Sequence, residues 1–547
     1  MSNSMFYTGL SGLNAAQAAL VTTGHNTANV NTPGYSRQSA QISASGGSYV
    51  PSVGFFGNGA QVTNVSRSYD EYLTSQLNQA QSMNQSLTTY GTQISQIDNL
   101  LASQTAGLAP QMQTLFTHVQ AVANTPADTS ARQQLISSSQ ALANQFRSMD
   151  HYLTGLNANV NGQMSGMVEQ INTYAGQIAS LNKQVAMFGN ASGTQAPNDL
   201  LDQRDQLVSD LSKLVGTKVV VQDGGQFNVF IGNGQTLVLG DKATTLAAVG
   251  SSIDPTRTTL ATVNNAGTAV QLQEGMITGG AIGGLLQFRN ETLSTAQNAL
   301  GRIAISLADT FNAQHMAGYD LNGAKGKNFF SQASPAVLPN VTNAGTLTPS
   351  FADIGKLTTS DYRVDAMGSG DFKVTRLSDN TTVGADSTGA YDGLKLTFTG
   401  AEAGDSWLVQ PTRAGARDFA VVLTDPAEVA AAGSPFAGTT GGVSDGSNAL
   451  LLGALQNKKT MGGGTASFND AYAQLVSTVG NKARQVQISG AAQSSLTLQI
   501  RTAQQSVSGV NQDEETANLL MFQQMYQANA KVIQTASTMF DAVLGIR

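Results

Sequence analysis

The 547-residue chain contains no cysteine. Disulfide bonds, thiolate nucleophiles, cysteine-ligated zinc and iron–sulfur clusters are therefore excluded. Charged residues are also scarce, because Asp, Glu, Lys and Arg together make up 12% of the chain, and the formal net charge is −7. This acidic balance would repel a nucleic acid, so we expect neither DNA nor RNA as a partner.

Long apolar stretches are missing as well. No run approaches the ~18 apolar residues of a membrane span, so we expect no membrane insertion. The first 24 residues contain no Lys or Arg and no apolar block that ends in a small-residue cleavage site. We therefore expect no cleaved secretory signal, and an exported chain would need another route.

Residues suited to catalysis or metal binding are few. The four histidines lie far apart and match no zinc-binding spacing, so each is interpreted as a solvated or capping residue: His25, His118, His151 and His315. The glycine-rich stretch 279–284 and the DLNG sequence at 320–323 are both interpreted as turns, the latter because the downstream ligands of a calcium loop are missing. We expect no cofactor and no metal.

Several carboxylates lie on polar helical segments. Asp202 and Asp205 belong to a predicted helix over residues 198–215, which Asn198 or Asp199 could cap. Asp513, Glu514 and Glu515 could complement the N-terminus of the last helix. These positions predict structural roles, and we expect no enzymatic activity.

The last segment of the chain has a heptad pattern. From Leu519 the spacing alternates between three and four, and only Asn529 interrupts the apolar row Leu519, Phe522, Tyr526, Asn529, Ile533, Ala536, Phe540 and Val543. A second row has the same period: Met525, Val532, Met539 and Ile546. Two rows predict neighbours on more than one side of the helix. The opening segment has a shorter matching row at Phe6, Leu10, Leu13 and Leu20.

These terminal helices are not expected to be stable alone. Burial of about seven apolar side chains contributes roughly 10–20 kcal/mol. Ordering of about 35 residues costs about 1–2 kcal/mol per residue in backbone entropy, which helix hydrogen bonds only partly offset. We therefore expect both termini to be largely disordered in a free monomer and to fold on assembly.

Between the ends, the pattern predicts a mainly α chain with β insertions, an α+β fold. Short strands from 217 to 239 are joined at Asp223-Gly224 and Asn233-Gly234, and a later turn lies at Asp392-Gly393. We expect a terminal α-helical coiled coil, an elongated helical bundle domain and outer β-rich domains. The predicted segments are 1–66 (N-terminal half of the inner coiled coil with a following loop or β segment), 67–216 (first part of the bundle), 217–280 (β-rich insertion), 281–330 (second part of the bundle), 331–440 (outer β domain), 441–505 (return of the bundle) and 506–547 (C-terminal half of the coiled coil).

A turn motif follows the opening helix in the sequence NTANVNTPGYSRQ, residues 26–38. Pro33 disfavours helix at Thr32, and Gly34 tolerates the positive φ of a tight turn. We expect the turn out of the helix to be fixed by Asn31, Thr32, Pro33, Gly34 and Tyr35.

Together these segments resemble the bacterial flagellar axial proteins of the rod, hook and hook-associated group. The N-terminal motif ANVNTPGYSRQ, preceded by GLSGLNAAQAAL, is similar to the motif that this family shares. The members at the hook–filament junction are most similar, through residues 57–77, 198–208, 306–330, 467–482 and 508–547. The likeness touches nearly the whole chain and is weakest from about 331 to 440.

The resemblance implies a structural function. In such proteins the two ends pair as a coiled coil in the inner tube of the flagellum, so we expect a secreted ring of subunits that adapts the hook to the filament. The expected intersubunit core consists of Phe6, Leu10, Leu13, Leu20, Leu519, Phe522, Tyr526, Ile533, Phe540 and Val543. The family also implies type III export of an unfolded chain, an export chaperone on the C-terminal segment, and the hook protein and the third hook-associated protein as partners.

An alternative is a secreted appendage protein with a hydrolase or adhesin activity in the outer β domain. A hydrolase would need a carboxylate pair or a Ser/His constellation there. The available acids in residues 331–440 are scattered and include Asp361, Asp371 and Asp405.

Overall fold

A computed structural model describes residues 2–50, 54–103, 107–189, 196–222, 224–264, 266–368, 370–385, 390–435 and 442–545. Within these ranges the α-helices are α1 (Ser2–Ala28), α2 (Glu71–Leu101), α3 (Leu108–Asn124), α4 (Thr129–Gly189), α5 (Asn198–Leu214), α6 (Gly280–Gln287), α7 (Ser294–Ala317), α8 (Ser447–Ala454), α9 (Phe468–Ser508) and α10 (Gln512–Leu544). A π-helical segment, Phe288–Leu293, joins α6 to α7. None of the described helices is both long and apolar enough to cross a bilayer.

The strands come in three groups along the chain. The first follows α1 and contains β1 (Gln38–Ala44), β2 (Gly47–Val50), β3 (Gly54–Gly57) and β4 (Ala60–Arg67). The second lies between α5 and α6 and contains β5 (Thr217–Val221), β6 (Phe227–Ile231), β7 (Gln235–Leu239), β8 (Lys242–Ala243), β9 (Leu246–Gly250), β10 (Thr258–Val263) and β11 (Ala269–Gln271). The third lies between α7 and α8 and contains β12 (Ala336–Pro339), β13 (Thr346–Phe351), β14 (Tyr362–Gly368), β15 (Asp371–Arg376), β16 (Thr381–Ala385), β17 (Ala390–Tyr391), β18 (Leu394–Thr399) and β19 (Ser406–Gln410).

All strand pairs within the described ranges are antiparallel, and the sheets are small. Their orders are β1-β4, β2-β3, β5-β6-β7-β8, β9-β10-β11, β12-β19-β14-β15-β16 and β13-β18-β17. The predicted turn at Asp392-Gly393 is confirmed, because both residues have positive φ, 46° and 83°. Asn233-Gly234 joins β6 to β7 as predicted, whereas Asp223 lies outside the described residues. The α+β fold class is confirmed, and the domain boundaries stay predictions.

The two terminal helices pack against each other in antiparallel directions. Gly12 lies against Asn529, and Gly9 lies against Ile533. A Cβ atom on Gly12 would be 2.3 Å from Oδ1 of Asn529, so a side chain at that point would require the side chain of Asn529 to move. Gly9, Gly12, Ala16 and Ala19 follow a 3-4-3 spacing and therefore share one face of α1. Small residues thus form the contact between α1 and α10.

The main core is helical. It includes apolar stripes of α2 and α4, in which Tyr90, Ile94, Met164, Ile171 and Ile178 are fully buried. The glycine-rich stretch 279–284 was predicted as a turn, and this is wrong for most of it. Gly279 and Gly280 have positive φ, but α6 then runs through Gly284, which packs on the backbone of Ser86.

A second, smaller core lies in the third group of strands. It contains Tyr362, Val364, Phe372, Trp407 and, from the helical side, Ile305 of α7. The chain enters and leaves this sheet side by side, because Ala336 of β12 is paired with Gln410 of β19. After β19 the chain returns to the main core, where Phe419 and Leu423 are buried.

His315 corrects an expectation from the sequence. It is completely buried rather than solvated. Its ring is neutral and therefore supplies no charge to a helix terminus. Its Nδ1 donates to the backbone oxygen of Lys327 (2.6 Å), and its Nε2 accepts from the backbone N–H of Ala430 (2.8 Å). Burial lowers the pKa of His315 to about 4, so the neutral ring joins the end of α7 to two loop segments.

Candidate functional site

The turn motif lies where α1 leaves the terminal helix pair. After Ala28 the backbone N–H of Thr32 donates to the oxygen of Asn29 (2.9 Å), and that of Tyr35 donates to the oxygen of Thr32 (3.2 Å). Gly34 has φ +80°, and a Cβ atom there would lie 2.7 Å from Oε1 of Gln206 in α5. A larger residue at Gly34 would therefore be strained in its backbone and would also collide with α5. Asn31, Thr32, Pro33 and Gly34 are exposed, and Tyr35 is half-buried.

Asn26 is the centre of the hydrogen bonds that hold this turn. Its Oδ1 accepts from the hydroxyl of Tyr35 (2.7 Å) and from the backbone N–H of Gln38 (2.9 Å). Its Nδ2 donates to the backbone oxygen of Gln38 (2.8 Å) and to Oε2 of Glu515 (3.0 Å). Because the side chain is buried and all of its hydrogen-bonding capacity is used, it fixes the turn against the start of α10.

Glu515 extends the contact between the two ends of the chain. Nε of Arg37 donates to its Oε1 (2.7 Å), and the carboxylate is almost completely buried. Glu514 lies beside it, 3.2 Å from Nη1 of Arg37, but is more than half exposed. The predicted placement of acidic residues in the first turn of α10 is confirmed. The ion pair of Glu515 with Arg37 is additional and was not predicted.

The carboxylates of α5 hold the other side of the turn. Asp202 accepts from the backbone N–H of Ser36 (2.9 Å) and from Nη1 of Arg67 (2.9 Å), which also donates to Oδ2 of Asp205 (2.6 Å). Burial raises the pKa of both carboxyls, and the positive charge of Arg67 opposes this rise. These residues are therefore buried in an ion network rather than on a polar face. Asp199 binds the side chain of Gln38 (2.8 Å).

The expected cap of α5 is wrong. Pro197 occupies the N-cap position, and no side chain caps the helix. Asn198 is already helical, and its Nδ2 donates to the backbone oxygen of Val65 (2.8 Å). Asn198 and Asp199 thus bind the segment around β1 and β4 instead of their own helix.

The terminal apolar residues, defined as the ten residues of the expected intersubunit core, lie mostly on the outside of the helix pair. Phe6, Leu10, Leu519, Tyr526 and Phe540 expose 37–48% of their surface. Leu13, Leu20, Phe522 and Ile533 are half-buried. Val543 belongs to α10, but its side chain and Ile546 lie outside the described residues. Within this set, Ile533 lies at the close approach of α1 and α10 at Gly9.

The carboxylates of the third strand group have structural partners. Asp361 is paired with Arg413 and accepts from Asn298 (2.8 Å). Asp405 accepts from the backbone N–H groups of Ala344, Gly345 and Glu402, and these bonds lower its pKa. Asp371 begins β15 and is exposed. No described contact joins the three acids to one another, and the described residues hold no cluster of three or more potential metal ligands.

The arrangement of the site can therefore hold the turn, α5 and the start of α10 together. Its charged groups face one another across the junction of α1, α5 and α10, and each carboxylate accepts from an N–H donor. Arg37 and Arg67 were not among the residues chosen from the sequence, and Glu515 was chosen only for its place in the first turn of α10. The one available signal is that Arg37 and Arg67 are the only cations in the first seventy residues, which are otherwise almost free of charge.

The comparisons with known proteins agree with this geometry at both ends. Residues 6–35 match the family described as "Flagella basal body rod protein", and residues 503–546 match "Flagellar basal body rod FlgEFG protein C-terminal". The paired terminal helices, together with the turn motif that follows α1 and binds the start of α10, therefore define an axial structural protein of the bacterial flagellum.

Matches in the middle of the chain identify the family within this class of axial proteins. Residues 94–330 match "Flagellar hook-associated protein FlgK helical domain", and residues 338–411 match "Flagellar hook-associated protein 1, D2-like domain". Flagellar hook-associated protein 1 of Salmonella typhimurium is 46% identical over 98% of this chain and 99% of the relative, and that of Escherichia coli is 44% identical over the full length of both. The chain belongs to the flagellar hook-associated protein 1 (FlgK) family.

A solved structure supports the same assignment. The flagellar hook junction protein FlgK from Burkholderia pseudomallei is 32% identical, with a TM-score of 0.74 over 79% of this chain and 100% of that one. The resemblance seen in the sequence and the assignment to the bacterial flagellum are thus confirmed. The protein is a structural flagellar component of the hook–filament junction type.

Proposed function

We propose that the protein works as an oligomeric adaptor in which a ring of copies joins the hook to the filament without catalysing a reaction. The observation that carries this proposal is the exposure of the terminal apolar residues. α1 and α10 meet through small residues, so the large side chains of both helices remain uncovered in a single chain. Neighbouring subunits would cover them, which would add the burial energy that the pair lacks alone.

The same exposure supports folding on assembly. The chain would be exported unfolded by the flagellar type III system, with an export chaperone on the C-terminal segment that shields α10. The scarcity of charge in the first 66 residues suits an interface between identical copies, because like charges at equivalent positions would repel one another. The hook protein and the third hook-associated protein are the expected neighbours on either side of the ring.

The substitution Phe540→Asp tests the proposal. Phe540 exposes 48% of its surface, so an aspartate there should leave the helical and β regions folded. In the ring the charge would be buried among apolar neighbours, and the fraction of hooks that bear a filament should fall at least about tenfold. The measurement is an electron-microscopic count in cells that produce only the variant.

Phe188→Asp is the matched control. Phe188 has the same exposure but lies at the end of α4, outside the terminal helices. Cells with this variant should assemble filaments normally. Normal filaments on Phe540→Asp cells would refute the proposed interface.

An enzymatic function of the third strand group gains no support from its acids. Asp361 and Asp405 hold backbone and side chains in place through their hydrogen bonds, and Asp371 lies alone at the start of a strand. An adhesive role of this surface is compatible with the adaptor and would be an addition to it.

A further inference from the structure

The hairpin of β2 and β3 is a two-stranded sheet that exposes aromatic side chains on both faces. Tyr49 is paired with Phe55, and their ring centroids are 5.3 Å apart on one face. Phe56 is paired with Ser48 and therefore lies on the opposite face. Tyr49, Phe55 and Phe56 expose 63%, 78% and 45% of their surface. We call β2 and β3 with these three residues the aromatic hairpin.

Such a hairpin is poorly suited to remain in water. A two-stranded hairpin is only marginally stable by itself, and proteins usually protect exposed strand edges with charged residues. Here no Asp, Glu, Lys or Arg occurs between Arg37 and Arg67. The aromatic hairpin therefore has the composition of a contact surface.

The base of the aromatic hairpin lies against α1. Gly59, two residues after β3, packs on α1, where a Cβ atom would lie 2.0 Å from Oγ of Ser11 and 3.2 Å from Cα of Thr8. The exposed side chains of Phe6, Tyr7 and Leu10 belong to the same part of α1. The base of the aromatic hairpin therefore lies beside the part of α1 that exposes these apolar side chains.

We propose that the aromatic hairpin of one copy docks on the exposed apolar face of α1 and α10 of the next copy. This inference rests on the ring proposed above. A ring of more than two copies requires two different surfaces on each chain, one of which binds the other on its neighbour. The hairpin and the helix face are two such surfaces, because both are apolar and the base of the hairpin lies beside this part of α1.

A second copy fits better than a partner of another kind. α1 contains no Asp, Glu, Lys or Arg, and neither does the segment of the hairpin. On α1 and on the hairpin, charge therefore gives no means to select a foreign partner, whereas identical copies need only avoid repulsion.

Disulfide cross-linking tests the docking directly, because the chain has no cysteine of its own. Cells would produce two single variants together, Phe55→Cys and Tyr7→Cys, each with a different tag. Oxidation of the isolated flagella should join one chain of each kind. Tyr7→Cys combined with Val341→Cys, whose site is 87% exposed in the third strand group, is the control and should give no product.

Two results would overturn the docking. One is the absence of mixed dimers from flagella that contain both chains. The other is a cross-link between two Phe55→Cys chains, which would mean that hairpins meet each other.

A second variant keeps the inference separate from the proposed function. Phe55→Asp should retain the circular dichroism of the parent chain, because the side chain is exposed, and should lower the fraction of hooks with filaments at least about tenfold. Normal filaments with Phe55→Asp, together with their loss in Phe540→Asp, would overturn the docking and leave the adaptor standing. Normal filaments with both would overturn the adaptor as well.

Discussion

Arg67 is the cation that keeps the two carboxylates of α5 in the protein interior. Its side chain is 12% exposed and lies 2.9 Å from Asp202 and 2.6 Å from Asp205. Buried ions are stable only when they are paired, and loss of one partner leaves the others without compensation. The single guanidinium therefore secures α5 to the end of β4, next to the turn motif.

Replacement of Arg67 tests this role. Arg67→Ala should lower the free energy of unfolding by about 3 kcal/mol, because two buried carboxylates lose the partner of their ion pairs. Urea denaturation at neutral pH measures the change. Arg363→Ala is the control, since Arg363 pairs with Asp365 at the surface and should contribute less than about 1 kcal/mol. Equal effects of the two variants would contradict a buried network at Arg67.

His315 predicts a dependence on pH. Its pKa falls from an ordinary value near 6.5 to about 4 on burial, so between these values the unfolded chain binds the proton that the folded chain does not. The free energy of unfolding should therefore decrease as the pH is lowered, by about 2 kcal/mol between pH 7 and pH 5. This component should be absent from His315→Gln and present in His151→Gln, whose histidine is exposed. Identical pH profiles of the two variants would contradict it.

At the scale of the element, the terminal helix pair has an inner and an outer face of different character. The inner face is built from glycine and alanine and allows close approach, as Gly9 and Gly12 show. The outer face carries the large apolar residues. Packing within one chain and packing between chains thus use different rows of the same helix.

Gly12 tests the inner face. Alanine normally stabilises a helix relative to glycine, by about 1 kcal/mol. At Gly12 the added methyl group would overlap the side chain of Asn529, so Gly12→Ala should weaken the helix pair and reduce the number of filaments. At Gly24 no atom lies within 4 Å, so Gly24→Ala should have no such effect.

A second substitution tests whether the effect of Gly12→Ala comes from its contact with Asn529. Asn529→Ala removes the side chain that Gly12→Ala would strike, so the double variant should assemble more filaments than Gly12→Ala alone. Filament counts of the four chains measure the coupling. Independent effects of the two substitutions would show that Gly12 and Asn529 do not set the spacing of α1 and α10.

Hydrophobic periodicity predicted the outer row of this pair but not the inner one. The sequence shows Phe6, Leu10, Leu13 and Leu20 clearly, because large apolar residues dominate the pattern. Gly9, Gly12, Ala16 and Ala19 have the same period but little hydrophobic signal, so the pairing of the two ends was expected but the residues that make the contact were missed. Helix and strand types in the middle were predictable, since both periods are strong there.

The ion network at the turn motif could not be predicted for a different reason. Asn26 and Glu515 are separated by 489 positions, and a charge on a helix looks the same whether its partner is water or a distant residue. Asp202 and Asp205 were placed on the correct helix, but their burial depends on Arg67 and on the backbone of Ser36. The geometry of such joints requires the fold.

At the scale of the whole molecule, the chain runs out through helices to the third strand group and returns through helices. Both ends therefore meet in the pair of α1 and α10, while the main core is closed by α2, α4, α7 and α9. Stability is expected to be uneven, because the main core is extensive and the terminal pair has only one well-buried side.

Limited proteolysis of the purified monomer tests this expectation. Cleavage should first occur within about the first 60 and the last 40 residues, because these segments bury the least apolar surface, and the remaining core should resist. Mass spectrometry of the fragments locates the cuts. Equal protection of the entire chain would contradict folding of the termini on assembly, and early cuts within α4 would contradict a stable core.

The pairing of β12 with β19 has a consequence for how such a protein can change over time. Because Ala336 and Gln410 are paired, the segment between them begins and ends on two adjacent strands. This segment could therefore be enlarged, shortened or replaced between these two positions while the path of the helices in the main core stays the same. Ile305, Arg413, Arg302 and Gly463, which contact this segment, would then need new partners.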